Sequence, residues 1–178
     1  MNNEILNIKF STKKTSDLSK KIINEIYKIK DSFWKYGKNS QKLWFRNNVK
    51  KNDIHNLLIY RNKLVGYTLL RKRDMKICKK KRTNYFLIDT VIIRKDNRKK
   101  GLGNELMKLN NSVLLKYKKV GFLLCKKKLI KFYSKFSWNK ITNKKFMFNN
   151  VKVNKNGMVF NLSKKLLENK KNVINFNT

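Results

Sequence analysis

A chain of 178 residues that is 40% hydrophobic has the size of one domain and enough apolar side chains to bury a core, which excludes wholesale disorder. It carries 46 Lys and Arg against 10 Asp and Glu, a formal charge of +36, with no proline or alanine. Such a field attracts polyanions, but A/T-rich codons inflate Lys, Asn, Ile, Phe and Tyr in the same way, so charge alone assigns no partner.

In chain order, Ile5–Phe10 alternates apolar and polar residues and predicts a strand. Thr15, Ser16 and Asp17 offer N-caps for a helix in which Leu18, Ile22, Ile26, Ile29 and Phe33 recur at helical spacing, running to about Lys30. Residues 34–52 read as a less regular helix with loops. Leu57–Tyr60 and Leu64–Leu70 flank the short polar connector Arg61-Asn62-Lys63 and predict a hairpin. Arg71–Arg82 is expected to be a solvated strand end and loop. Tyr85–Ile93 is the most apolar run and reads as a central strand covered on both faces. A polar turn then leads into a helix marked by Leu102, Leu106, Leu109, Val113 and Tyr117. Val120–Cys125 predicts another buried strand, and Leu129, Phe132, Tyr133 and Phe136 a short helix. Weaker strands are expected at Phe146–Phe148 and Gly157–Leu162, then a frayed basic tail over Lys164–Thr178. The expected organisation is one domain over residues 1–163 plus that tail. The class is a mixed α/β (α+β) sheet, mostly antiparallel, with helices on both faces.

Cys78 and Cys125 lie far apart without CxxC spacing, and His55 is the single histidine, so neither a disulfide scaffold nor a metal site is expected. Met1–Phe10 holds Glu4 and Lys9 and no long apolar core, and no run is long enough to span a membrane. A cytoplasmic protein is expected.

The chemistry is expected where strand Tyr85–Ile93 passes through Arg98-Lys99-Lys100-Gly101-Leu102-Gly103 into a helix. A glycine turn at a helix N-terminus exposes backbone N–H groups to an anion such as a pyrophosphate. The turn lacks the third glycine of a dinucleotide fingerprint and the GK[ST] of a Walker loop. An ordinary strand-to-helix loop fits the spacing equally well. Asp89 sits in the apolar strand, where aspartate is disfavoured. Strict alternation puts it on one face with Leu87, Val91 and Ile93, where a carboxylate suits a general base; a structural aspartate is the alternative. Tyr133 is either core packing or a proton donor at the sheet edge.

Together these stretches resemble the GNAT acetyltransferases. Val91-Ile92-Ile93-Arg94 followed by Arg98-x-x-Gly101-x-Gly103 is similar to the acetyl-CoA signature [RQ]-x-x-G-x-[GA]. Leu64-Val65-Gly66-Tyr67 and Phe132-Tyr133-Ser134-Lys135-Phe136-Ser137-Trp138 resemble two further stretches, in the right order. The resemblance implies that Val91, Ile92 and Ile93 run beside the pantetheine arm, with backbone groups of Val91 and Ile93 pairing with it. Amides of Arg98, Lys99, Lys100, Gly101, Leu102, Gly103 and Asn104 would cradle the pyrophosphate. Asp89 takes the place of a carboxylate base, and Tyr133 that of a tyrosine that protonates the departing thiolate. Lys126 and Leu129 stand where many members have Asn and Ala, and Ser137 replaces a usual glycine.

The implied activity is transfer of acetyl from acetyl-CoA to the primary amine of a small molecule or peptide, by a monomer or homodimer. A finer similarity, through His55–Tyr60 and Asp89–Arg94, is to aminoglycoside 2′-N-acetyltransferases, with Asp17, Glu25, Asp31 and Asp53 available to the acceptor side. Two alternatives stay open. One is an acetyltransferase of protein N-termini or ribosomal proteins. The other is a basic RNA- or ribosome-binding module with a non-catalytic shell, binding nucleic acid non-specifically through its lysines and Trp34, Trp44 and Trp138.

Overall fold

A computed structural model describes residues 8–77, 81–142, 144–163, 165–166 and 173–178. The chain divides into two compact units, Met1–Arg71 with Thr90–Asn110, and Lys72–Asp89 with Asn111–Thr178. Two strands and one helix contribute residues to both.

The first unit holds β1 (Ile8–Lys14), α1 (Lys20–Trp34), α2 (Lys38–Asn48), β2 (Ile54–Tyr60), β3 (Lys63–Ile77) as far as Arg71, the end of β4 (Lys81–Ile93) and the first turns of α3 (Leu102–Lys116). β1, β2 and β3 are antiparallel neighbours. Arg61 and Asn62 have φ of 46° and 61°, the left-handed pair that a two-residue hairpin turn requires. The register slips after Leu58↔Gly66 to Ile59↔Leu64, so Val65 bulges. Apolar residues alternate between two helical layers. Leu57, Tyr67, Leu69 and Ile92 pack with Ile26, Ile29 and Phe45 of α1 and α2, whereas Leu58 and Val65, with partly buried Val91 and Ile93, pack with Leu102 and Leu106 of α3.

The second unit holds the rest of β3, β4 and α3, then β5 (Val120–Cys125), α4 (Ile130–Ser134), β6 (Asn139–Ile141), β7 (Phe146–Phe148), β8 (Asn156–Phe160) and β9 (Ile174–Phe176). β4 and β5 are parallel, β8 lies antiparallel between β5 and β6, and β9 pairs antiparallel with β3 and parallel with β7. The core is aromatic: Phe122 stacks on Phe176 at 3.8 Å and 9°, among Tyr85, Leu87 and Phe146. The sheet is mixed and mostly antiparallel, with helices beside it.

Several expectations are corrected. β1 runs to Lys14, while residues 5–7 of the expected strand lie outside the described residues. Thr15–Asp17 forms a 3-10 turn, and the cap of α1 is Ser19, whose Oγ accepts from Ile22 N at 3.4 Å. The basic stretch after Leu70 is not a solvated loop through Ile77: β3 continues, and Arg71, Arg73 and Met75 are buried. Residues 78–80 lie outside the described residues. The end of the chain is not frayed over Ile174–Phe176, because Ile174 and Phe176 enter the aromatic core as β9. Most of 164–172 lies outside the described residues.

Candidate active site

The turn expected to hold an anion is built in the first unit. Lys99 and Gly101 adopt φ of 61° and 78°, left-handed values that favour glycine at Gly101 and strain the lysine at Lys99. A Cβ at Gly101 would meet nothing within 4 Å, so this side of the turn is open. The Gly101 carbonyl accepts from Asn104 N at 2.8 Å and Glu105 N at 3.3 Å, starting α3. By helix geometry the amides of Leu102 and Gly103 have no intrahelical acceptor, and they stand at the positive end of a 15-residue helix behind Arg98, Lys99 and Lys100. The donor set, the room and the charge all fit a pyrophosphate.

Two arginines fix this turn. Arg94 donates from its backbone N to Val65 O at 2.8 Å and from Nε to Leu64 O at 2.7 Å, and its guanidinium reaches Glu25 of α1 at 3.4 Å. Arg98 folds back, donating from Nε to Ile93 O at 3.1 Å, with its guanidinium 5.5 Å from the Phe33 ring centroid. Thus Ile93 and Arg98 are brought together, and the bulge at Val65 supplies a carbonyl that holds the strand end.

Asp89 is half-buried in β4. Leu87 packs in the aromatic core of the second unit. Phe86 packs edge-on against Tyr117, which directly follows α3, at 5.7 Å, and Val91 and Ile93 pack with Leu102 and Leu106 of α3. The parallel ladder with β5 ends at Leu87↔Phe122, although β5 continues to Cys125.

Tyr133 lies in α4, in the same unit as Asp89 of β4. It is buried against Phe132 and Trp138, at centroid distances of 5.2 and 6.4 Å. Burial first, and the neighbouring Cys125 second, push its hydroxyl up to about 12. Among the described residues that hydroxyl makes no hydrogen bond. It is a held proton without an acceptor among the described residues. Trp138 is seated by its Nε1–H donating to Asn111 Oδ1 at 2.9 Å, and Asn111 Nδ2 donates to Phe136 O at 2.9 Å. Between them Ser137 takes φ of 63°, which explains why the resemblance expects glycine there.

Comparison with known proteins gives the family. The model of the acetyltransferase (GNAT) family matches residues 23–138. The chain belongs to the GNAT acetyltransferase family. No curated protein matches it by sequence. Among solved structures, this GNAT protein is similar to Escherichia coli ElaA, with 18% identity over 85% of this chain and 98% of that one and a TM-score of 0.66. It is similar to Escherichia coli YhbS in complex with CoA, with 12% identity over 96% and 89% and a TM-score of 0.68. It also resembles the Escherichia coli ribosomal-protein-S18-alanine N-acetyltransferase, with 12% identity over 85% and 91% and a TM-score of 0.57. Among the described residues no helix is long and apolar enough to cross a membrane.

Sequence reasoning missed two working residues of this GNAT domain. Asn111 carries no local signal, because a polar residue on an amphipathic helix reads as solvated. Arg94 stood inside the recognised stretch, but its clamp on Leu64 and Glu25 depends on contacts 30 and 69 residues away.

Proposed function

We propose that this GNAT protein transfers the acetyl group of acetyl-CoA to a primary amine by direct attack within a ternary complex. The observation that carries the reading is the open, cation-flanked N-terminus of α3 at Gly101–Gly103. The amides from Arg98 to Asn104 hold the pyrophosphate, with Arg98, Lys99 and Lys100 supplying charge. Val91 and Ile93 pair through their backbone with the pantetheine arm, beside Ile92. Asp89, through a water, takes a proton from the ammonium, since only the neutral amine attacks. The Val91 N–H polarises the thioester carbonyl, and the Tyr133 hydroxyl returns a proton to the departing thiolate.

The acceptor is better read as a peptide amine than as a polycationic drug. The carboxylates available to an acceptor pocket are already engaged one by one. Glu25 holds Lys28 and Arg94, Asp31 accepts from Gly37 N at 2.7 Å, and Asp53 is buried and accepts from Lys50 N at 2.8 Å. A protein with so few acids, so disposed, offers little to a polyamine.

The test is thiol release from acetyl-CoA with short peptides, polyamines and aminoglycosides as acceptors, in the wild type and in Asp89→Ala. Asp89→Ala is expected to lower turnover by ~10²–10⁴ and leave coenzyme affinity nearly intact. A loss of only a few-fold, or preference for aminoglycosides, sinks the assigned base or the assigned acceptor respectively.

A further inference from the structure

The helix α2 belongs to the first unit and carries none of the groups assigned to acetyl transfer. Residues 32–52, between Asp31 and Asp53, contain no acid and six basic residues. Lys38, Lys42 and Arg46 follow one another at four-residue spacing on α2, and all three are exposed. Neighbours on that row are about 6 Å apart along the axis, at 1.5 Å per residue. This is close to the separation of successive phosphates in an extended nucleic-acid strand. Like charges at i, i+4 weaken an isolated helix, and no carboxylate on α2 offsets them.

Beside the row is a cleft of about 390 Å³ between α1 and α2, lined by Tyr27, Asn39, Lys42, Leu43 and Arg46. Leu43 is half exposed, although it is a large apolar side chain. The Tyr27 ring is held edge-on by Phe45 at 5.5 Å. An apolar wall, a fixed phenol and an amide that can meet base edges stand next to two cations. That combination suits a base with its flanking phosphates better than it suits a bare carboxylate.

We propose that this face of α2 docks single-stranded RNA, with one base in the Tyr27–Leu43 cleft and successive phosphates on Lys38, Lys42 and Arg46. The docking is independent of acetyl transfer. A single strand is favoured over a duplex because a base must leave its stack to enter the cleft.

The test is fluorescence anisotropy with a labelled oligouridylate at about 0.2 M salt, where diffuse attraction is largely screened. The wild type is compared with Lys42→Gln/Arg46→Gln, with Leu43→Ser, and with a control pair of exposed lysines on β1, Lys13→Gln/Lys14→Gln. The α2 pair is expected to lose about tenfold or more in affinity and to flatten the salt dependence by about 1.4 in log–log slope, at ~0.7 per phosphate. Leu43→Ser is expected to lose several-fold with an unchanged slope. The control pair is expected to change affinity less than about twofold, and all variants are expected to bind acetyl-CoA as the wild type does. Equal loss in the control pair, equal competition by polyglutamate, or no binding at this salt would each overturn the proposal.

Discussion

The guanidinium of Arg94 donates to the carbonyl of Leu64 at 2.7 Å while its own backbone amide donates to Val65 at 2.8 Å. The end of β4 is thereby tied to the bulge of β3, immediately before the turn that leads to α3. Arg94→Ala leaves the Leu64 carbonyl and Glu25 without this donor and frees the strand end. The affinity for acetyl-CoA, measured by calorimetry, is expected to fall roughly tenfold, about 1.4 kcal/mol. Unchanged affinity would mean that the turn holds its shape without the clamp.

Tyr133 is expected to act as an acid across the whole working range, since burial holds its proton up to about 12. The protonated form is present below that value, so wild-type kcat should show no alkaline fall attributable to Tyr133 between pH ~7 and ~10. Tyr133→Phe should lower kcat by ~10². Stability should change by less than about 0.5 kcal/mol, because among the described residues the hydroxyl has no hydrogen-bond partner to lose. A stability loss that matches the rate loss would return Tyr133 to a packing role.

His55 is fully buried, hydrogen-bonded through Nδ1 to Tyr67 Oη and through Nε2 to Thr15 Oγ1, both at 2.9 Å. Burial pushes its imidazole down to about 4, with Asp53 opposing and Lys30 adding to the shift. The unfolded chain takes up a proton near pH 6.5, while the folded chain refuses it until about pH 4. The unfolded state therefore binds more protons in that window. Stability is complete above the upper value and lost as pH falls toward the lower one, by on the order of 3 kcal/mol. Urea midpoints of the wild type and His55→Gln at about pH 7.5 and about pH 4.5 check this: the variant should lose less between the two pH values. An identical loss would place the acid sensitivity elsewhere.

Ser137 is exposed and sits at φ 63° just before Trp138. Glycine adopts this conformation without the Cβ penalty, at some cost in unfolded-chain entropy. Ser137→Gly is expected to stabilise the protein by about 0.5–1 kcal/mol, seen as a higher melting temperature. A lower melting temperature would show that the serine contributes something its backbone angle does not reveal.

Much of the frame was legible where the signal is local. The β2–β3 hairpin, the apolar run of β4, the glycine turn and the stripe of α3 each follow from periodicity or turn chemistry within a few residues. The bulge at Val65 was not legible, because a bulge is a backbone event that leaves the order of apolar residues unchanged. Arg71 read as solvated, yet its guanidinium lies 5.6 Å from the Trp44 ring centroid, a contact that only the third dimension supplies. β9 was hidden for a similar reason: three residues at the end of the chain gain their place by pairing with β3, about 100 residues earlier. For the site, Gly101 and Tyr133 could be singled out from residue type and order, whereas Asn111 and the clamp of Arg94 depend on partners distant in sequence.

The most direct test of the central claim is calorimetric titration of acetyl-CoA at ~0.3 M salt, with ATP and a short RNA as controls, because a +36 chain binds any polyphosphate when screening is weak. Micromolar acetyl-CoA binding that survives this salt, with ATP much weaker, is the expected result and marks a built coenzyme site at the N-terminus of α3. Equal, salt-sensitive binding of acetyl-CoA and ATP would contradict it and reduce the glycine turn to a basic loop.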